Sequence, residues 1–221
     1  MLVFALASVA GSLPGCDDAS TRPEPAPPTP EPLVGTISFA YTDISREEDA
    51  TDEPDDRREI LISAYYPARG GGDFPVAPCY RRSEEADLNA IQEGLPAGSF
   101  DTICDGQALE GAEVLGGDPL PLLVFSHGYT MQTPVYTSWL EAIARRGYIV
   151  LGVTHPYSAG VTVLPSGVIA RTPPPPLDPV GFDALIDKLS MDQRAAVEAL
   201  RSAQPGTLEA GLAARWDRGA V

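Results

Sequence analysis

The sequence is poor in basic residues. It carries 15 Lys and Arg against 31 Asp and Glu, a formal net charge of −16, and Lys188 is its one lysine. The phosphates of nucleic acid would repel such a chain, which argues against nucleic acid as a partner. The same charge argues against a basic patch that would hold the protein on anionic lipid. The 221 residues suffice for one sizeable domain with its own core.

Histidine and cysteine are also scarce, with two His and three Cys. No His or second Cys stands at ligand spacing from Cys79 or Cys104, so we expect no metal site. No organic cofactor is implied. The pattern G-x-S-x-G, which places a nucleophilic serine on a strand-to-helix turn, is missing as well.

The first ten residues, MLVFALASVA, are apolar and uncharged. This run is too short to span a bilayer and is typical of the central region of a signal peptide. Leu13–Cys16 resembles the box of bacterial lipoproteins, in which the cysteine is lipidated. We therefore expect a signal peptide and lipobox over 1–16, a lipid on Cys16 that contacts the membrane, and an extracytoplasmic location (periplasm or cell surface). The alternative is an ordinary signal peptide followed by an incidental cysteine.

Residues 17–32 are dominated by Pro and Glu. This composition cannot form a core and predicts an extended, semi-rigid linker. A second proline tract, Pro173–Pro176, predicts a rigid loop or lid.

The predicted domain spans 33–221. Residues 34–42 and 59–66 are rich in β-formers and predict an antiparallel hairpin, with acidic residues 43–58 as its solvated loop. Residues 67–118 are rich in glycine and predict an insertion that contains a short helix at 83–93.

Two cysteines, Cys79 and Cys104, flank that short helix. In an exported protein such a pair indicates a disulfide that closes the insertion. Two free buried thiols are the alternative.

The core of the domain is predicted from two apolar runs. Residues 122–125 and 148–153 have the pattern of strands buried on both faces. Between them, Thr133 and Pro134 can begin an amphipathic helix, whose apolar stripe includes Trp139 and whose outer face carries a Glu141–Arg145 pair. Strand, helix and strand with short joints predict a right-handed parallel crossover in an α/β fold.

The segments LLVFSHGYT, a helix that ends in Arg-Arg-Gly-Tyr, and IVLGVTHPYSA resemble the platelet-activating-factor acetylhydrolase and dienelactone-hydrolase-like branch of the α/β-hydrolases. The helical spacing of Asp192, Arg194, Glu198 and Leu200 is similar to that branch too. The resemblance implies the N-terminal part of an α/β-hydrolase fold: a mostly parallel sheet with an N-terminal antiparallel hairpin, flanked by helices.

The resemblance also implies an oxyanion hole. Its backbone donor would be the N–H of Tyr129, with Gly128 allowing close approach, because a fixed donor stabilises the charge that develops on a carbonyl oxygen. We interpret His127 as a hydrogen-bonding residue that holds this turn, rather than as a general base. His155 shapes its loop with Pro156 or lines the pocket.

The nucleophile of this family is not found in the chain. Ser126 precedes the oxyanion turn rather than standing on an elbow, and Ser158 has Pro156 two positions before it. No His follows His155, so the chain order Ser, acid, His cannot be completed. We expect residues 216–221 to open the strand that leads to the elbow, with the catalytic serine just beyond.

The resulting functional hypothesis is a serine esterase that acts on a small-molecule or lipid ester through an acyl-enzyme, similar to platelet-activating-factor acetylhydrolase. Residues 1–221 alone are expected to be inactive and poorly soluble. The alternative is a non-catalytic, surface-tethered binding protein on a degenerate hydrolase scaffold. A third possibility is a different nucleophile, such as Cys, in the elbow.

Overall fold

The structure, a computed structural model, describes residues 32–100, 104–176 and 178–219. The predicted lipobox over 1–16, with Cys16, and nearly all of the 17–32 linker lie outside these residues. Residues Glu31–Val221 form one compact unit. In the described part, no helix is both long enough and apolar enough to cross a bilayer.

The described strands form a five-stranded sheet in the order β3-β1-β2-β5-β4. The strands are β1 (Leu33–Glu47), β2 (Arg57–Ala68), β3 (Leu109–Glu110), β4 (Leu122–Ser126) and β5 (Ile149–Thr154). Strand β2 pairs antiparallel with β1 and β5, whereas β1–β3 and β4–β5 are parallel pairs. An α/β fold with an N-terminal antiparallel hairpin is thus confirmed. The described sheet is mixed rather than mostly parallel, because that hairpin supplies two of its five strands.

The remaining elements surround this sheet. A second, two-stranded sheet contains β6 (Val161–Val163) and β7 (Ile169–Arg171). The helices are α1 (Ser83–Gln92), α2 (Thr137–Arg145), α3 (Pro179–Arg201) and α4 (Leu208–Arg215), and a 3₁₀ turn (Thr133–Tyr136) leads into α2.

Strand β5 is buried on both faces, as its uniformly apolar sequence predicts. All six of its residues are buried. Ile149 and Leu151 pack in a core that includes Leu200 of α3, whereas Val150 packs in a second core with Leu140 of α2. All five residues of β4 are only half-buried, since β4 stands last in the order of the described strands.

The acidic hairpin connection differs from the predicted solvated loop. Strand β1 runs on to Glu47, and Glu48 and Arg58 are buried. They can be buried because they pair with each other, Arg58 Nη1 to Glu48 Oε2 at 2.6 Å. The prediction of a solvated loop was therefore wrong for this pair.

Helix α2 also differs from its prediction. Trp139 was expected on the apolar stripe but is 67% exposed. Glu141 was expected on the outer face but is buried, and its Oε1 accepts hydrogen bonds from the N–H groups of Gln107 (2.7 Å) and Ala108 (2.8 Å). The carboxylate thus satisfies backbone donors of the insertion, which the spacing to Arg145 could not reveal.

The sulfur atoms of Cys79 and Cys104 are bonded, and this bond closes the insertion on itself. Hydrogen bonds join the insertion to the rest of the domain. Asn89 of α1 donates from Nδ2 to the carbonyl of Val161 (2.8 Å) and accepts from the N–H of the same residue (2.7 Å). The insertion is therefore a packed part of the domain.

After α4 the chain enters the sheet region again. Trp216 forms a parallel bridge with Leu120, just before β4. The N–H of Leu120 donates to the carbonyl of Arg215 (2.7 Å), and the N–H of Asp217 donates to the carbonyl of Leu120 (2.8 Å). Backbone pairing beside β4 thus begins at residue 216.

Candidate active site

The carboxyl ends of β4 and β5 lie together at one edge of the sheet, because the two strands are parallel neighbours. Open α/β folds bind ligands at this edge. Each strand is followed by a histidine, His127 after β4 and His155 after β5, and the two rings are in edge contact with centroids 5.0 Å apart. Both histidines are buried.

The predicted oxyanion turn is closed by a backbone hydrogen bond. The N–H of Met131 donates to the carbonyl of Gly128 at 2.9 Å. Thr130 has φ = 66°, a left-handed conformation that is uncommon for a β-branched residue. Thr130 is held in this conformation by two backbone hydrogen bonds. Its N–H donates to the carbonyl of Ser158 (2.8 Å), and its carbonyl accepts from the N–H of Gly160 (3.1 Å). Such enforced strain is typical of functional turns.

The carbonyl of Gly128 accepts a second hydrogen bond, from Nδ1 of His127 at 2.8 Å. In a planar trans peptide the C=O and the following N–H point in opposite directions. The Tyr129 N–H is therefore turned away from His127, and it has no acceptor among the residues that the structure describes. Gly128 is exposed and Tyr129 is half-buried, so the peptide that carries this donor lies at the surface of the described domain.

The hydrogen bonds of His127 define its tautomer. Its Nδ1 carries the proton donated to Gly128, and its Nε2 accepts from the N–H of His155 at 3.1 Å. Burial, with a contribution from the nearby His155, lowers the pKa of His127 to about 4. The ring is neutral at pH 7 and its lone pair is occupied, which agrees with a loop-holding residue rather than a general base.

A second hydrogen-bonded series joins the same edge to α3. Ser126 Oγ lies 2.8 Å from Nε2 of His155, and Nδ1 of His155 lies 2.9 Å from Oδ2 of Asp192. Because the carboxylate can only accept, His155 donates from Nδ1 and accepts from the Ser126 hydroxyl. This is the polarity of a Ser–His–Asp relay.

Two arginines share the carboxylate of Asp192. Arg58 donates to both of its oxygens, at 3.1 and 2.6 Å, and Arg46 donates to Oδ1 at 2.9 Å. Burial by itself would raise the pKa of Asp192, but hydrogen bonds from His155 and Arg58 lower it below the usual range. Asp192 is therefore ionised, and its charge is compensated by the two guanidinium groups.

The ionic network extends to the hairpin. Glu48 accepts from Arg58 and from Lys188 of α3 (3.0 Å), and Arg58 also donates to the carbonyl of Pro156 (3.1 Å). Three separate parts of the chain are thus joined beside the candidate site.

A cavity of about 170 Å³ lies near this edge. Its lining includes Pro134 and Thr154, together with Arg82 and Glu85 of the insertion, but neither residue of the predicted oxyanion turn. The Tyr129 hydroxyl donates to the carbonyl of Pro173 at 2.7 Å, so the second proline tract lies against the turn. Among the described residues, no group of three or more His, Cys, Asp or Glu side chains could hold a metal.

The sequence placed Gly128, Tyr129 and the two histidines at one edge, and the structure brings them together there. Sequence reasoning missed the roles of Ser126, Asp192 and Arg58. The one signal for Asp192 was its place in a helix whose residue spacing resembles that of the family. No spacing in the sequence connects Asp192 to His155.

Comparison with known proteins agrees with this geometry. Residues 98–167 match the family model "Platelet-activating factor acetylhydrolase, isoform II". A solved structure, a ferulic acid esterase from Streptomyces cinnamoneus, superposes with a TM-score of 0.60 at 26% identity over 82% of this chain. No curated protein matches.

These findings define the class of the protein by its fold, which is that of an α/β-hydrolase. Within that class it is similar to the platelet-activating factor acetylhydrolases. The chain spans about half of the length of the esterase that it matches, at 50% coverage.

Proposed function

We propose that the protein is a carboxylic ester hydrolase in which the N–H of Tyr129 is one donor of the oxyanion hole. The observation that carries this proposal is the unpaired Tyr129 N–H in a fixed turn at the carboxyl end of β4. A donor that is held in place before the reaction stabilises the oxyanion without reorganisation, and one such donor contributes about 3–4 kcal/mol.

In this proposal the nucleophile is a serine carried by chain beyond residue 221, and residues 1–221 alone are inactive. The parallel bridge between Leu120 and Trp216 supports it, because a strand that begins there would run beside β4 and end near the Tyr129 turn. The half-length coverage of the ferulic acid esterase supports it too. The substrate would be a small-molecule or lipid ester, as the similarity to platelet-activating factor acetylhydrolases suggests.

The proposed location is extracytoplasmic, with a lipid on Cys16 as the membrane contact. The bond between Cys79 and Cys104 supports an oxidising compartment. A palmitate label that is incorporated into the wild-type protein, but not into Cys16→Ser, would establish the anchor.

The test is to read the gene past Val221 and to assay its complete product. We expect a G-x-S-x-G motif within about 15 residues and a later Asp and His. The complete product should release p-nitrophenol from a short-chain ester, whereas residues 1–221 should not. A complete product without a Ser or Cys elbow, and without turnover, would favour the alternative of a surface-tethered binding protein on a hydrolase scaffold.

A further inference from the structure

Two buried histidines, His127 and His155, connect the charged network to the oxyanion turn. His155 Nδ1 donates to Asp192, the His155 backbone N–H donates to Nε2 of His127, and Nδ1 of His127 donates to the carbonyl of Gly128. Every distance in this series lies between 2.8 and 3.1 Å. Each histidine therefore has one possible tautomer in the structure.

We propose that His127 and His155 are positioning residues that set the direction of the Tyr129 N–H. This inference rests on the proposed function, because it assigns that N–H to the oxyanion hole. It adds the device that orients the donor, which neither the family match nor the esterase likeness specifies.

The peptide between Gly128 and Tyr129 is held in one orientation. Its carbonyl is fixed by two donors, His127 Nδ1 and the Met131 N–H. Rotating this peptide would break both hydrogen bonds and bury an unpaired donor on His127, at a cost of about 1–3 kcal/mol for that group. The Tyr129 N–H is thereby kept on the outer side of the turn.

The orientation of the His127 ring is fixed as well. Only the Nδ1–H tautomer serves Gly128, and this tautomer is selected because Nε2 accepts from the backbone of His155. That backbone is in turn held through the His155 side chain, which lies between Ser126 and Asp192. Asp192 is fixed by Arg58 and thus by strand β2. The direction of one N–H is therefore determined by a rigid sheet element.

The burial of His155 favours a positioning role over direct catalysis by Ser126. A catalytic histidine must touch the substrate to transfer its proton to the leaving group, yet His155 is 0% exposed. Both oxygens of Asp192 also accept hydrogen bonds from arginines, so the charge of this carboxylate is already compensated by the protein. The Ser126 hydroxyl serves to fix the end of β4 against the His155 ring.

The first test needs no enzymatic activity. In the complete gene product labelled with ¹⁵N-histidine, the rings of His127 and His155 should show a protonated Nδ1 and an unprotonated Nε2, with His127→Asn and His155→Asn used for assignment. The Tyr129 amide should exchange with solvent at an unprotected rate, whereas the amides of Thr130 and Met131 should be protected. A protonated Nε2 on either ring, or a protected Tyr129 amide, would overturn the proposal.

The second test compares two amide variants of His127 in the complete gene product. In His127→Asn the amide nitrogen takes the place of Nδ1 and can still donate to Gly128, whereas in His127→Gln it reaches the place of Nε2. His127→Gln should lower kcat by about 10²-fold with little change in KM, as for loss of an oxyanion donor. His127→Asn should retain kcat within about tenfold of wild type.

Three outcomes would contradict positioning. One is equal loss in the Asn and Gln variants, and another is a loss confined to KM. The third is modification of Ser126 by a fluorophosphonate, located by peptide mapping, which would make Ser126 a nucleophile. If the wild-type product hydrolyses no ester, the proposed function fails, but the tautomers and amide exchange still decide whether the two histidines orient the peptide.

Discussion

Nδ1 of His127 donates to the carbonyl oxygen of Gly128, the residue that follows it, across 2.8 Å. A side chain that binds the next peptide carbonyl fixes that peptide locally, and the second nitrogen of the same ring binds the backbone of His155. The turn after β4 is therefore tied both to itself and to the end of β5. This arrangement leads to predictions on stability and on activity.

We expect the stability of the protein to fall as pH decreases from about 6.5 to about 4. Burial lowers the pKa of His127 to about 4 in the folded state, whereas an unfolded His titrates near 6.5. Between these values the unfolded state binds the proton and the folded state does not, so the free energy of unfolding decreases as pH falls. The loss is about 3 kcal/mol and ends below the folded pKa.

Urea unfolding at several pH values measures this effect, and His127→Asn serves as the control. The control removes the titrating ring, so its stability should change less over the same pH range. An equal slope in the two proteins would contradict the assignment to His127.

Removing the charge of Asp192 should destabilise the protein strongly. Asp192→Asn leaves Arg58 buried without its full ionic partner, and breaking such a pair costs about 3–5 kcal/mol. Glu198→Gln, at an exposed position on the same helix, is the matched control and should change stability by less than about 0.5 kcal/mol. Denaturant midpoints compare the two variants.

The same carboxylate predicts a second, more acidic transition. The pKa of Asp192 is lowered in the folded state, so its contribution to stability is present above the unfolded pKa of about 3.9. It is lost as pH falls through the lower folded pKa. Wild type should therefore continue to lose stability below pH 4, whereas Asp192→Asn should lose less there.

Gly128→Ala should separate folding from activity. A Cβ at this position would meet only ordinary contacts, Met131 Cγ at 3.6 Å and Tyr136 Oη at 3.9 Å. We therefore expect a melting temperature near that of wild type, together with a lower kcat in the complete gene product, because a methyl group beside the Tyr129 N–H hinders the approach of the substrate oxygen. A large loss of stability would show that Gly128 is needed for the fold instead.

Gly160→Ala, in contrast to Gly128→Ala, should destabilise the fold. Its Cβ would lie 2.5 Å from Gln132 Nε2 and 3.0 Å from the carbonyl of Thr130. Overpacking of this kind costs about 1–3 kcal/mol. Gly116→Ala is the control, because its Cβ would lie 3.9 Å from Arg69 Nη2, the nearest atom outside its two chain neighbours. Similar midpoints for these two variants would argue against the close packing at Gly160.

Reduction of the bond between Cys79 and Cys104 should destabilise the insertion. The two residues are 25 positions apart, and closing a loop of this size contributes about 3 kcal/mol. Cys79→Ser should behave like the reduced protein, whereas Cys16→Ser should keep the stability of wild type. If Cys79 and Cys104 both react with a maleimide in the native, unreduced protein, the bond between them does not form.

The sequence alone determined the strand, turn, helix and strand around residues 122–153. Those features depend on local physics: continuous apolar runs specify strands, and His-Gly and Thr-Pro pairs mark where the chain turns. Burial on both faces is observed for β5, whereas β4 is only half-buried. The family resemblance added the position of the oxyanion turn. The local sequence pattern gave the wrong exposure for Glu141 and for part of the acidic hairpin. Such a pattern does not distinguish a solvated charge from a buried charge that has a partner.

Only the tertiary structure decided which residues support that turn. Arg58 and Asp192 are 134 positions apart, and they meet because the sheet places β2 and the adjacent β5 beneath α3. Hydrogen-bond partners of a buried polar group are chosen by proximity in the folded state, and no periodicity in the sequence encodes that proximity. The residues that bear the turn could be read from the chain, whereas the charges that hold it in place required the fold.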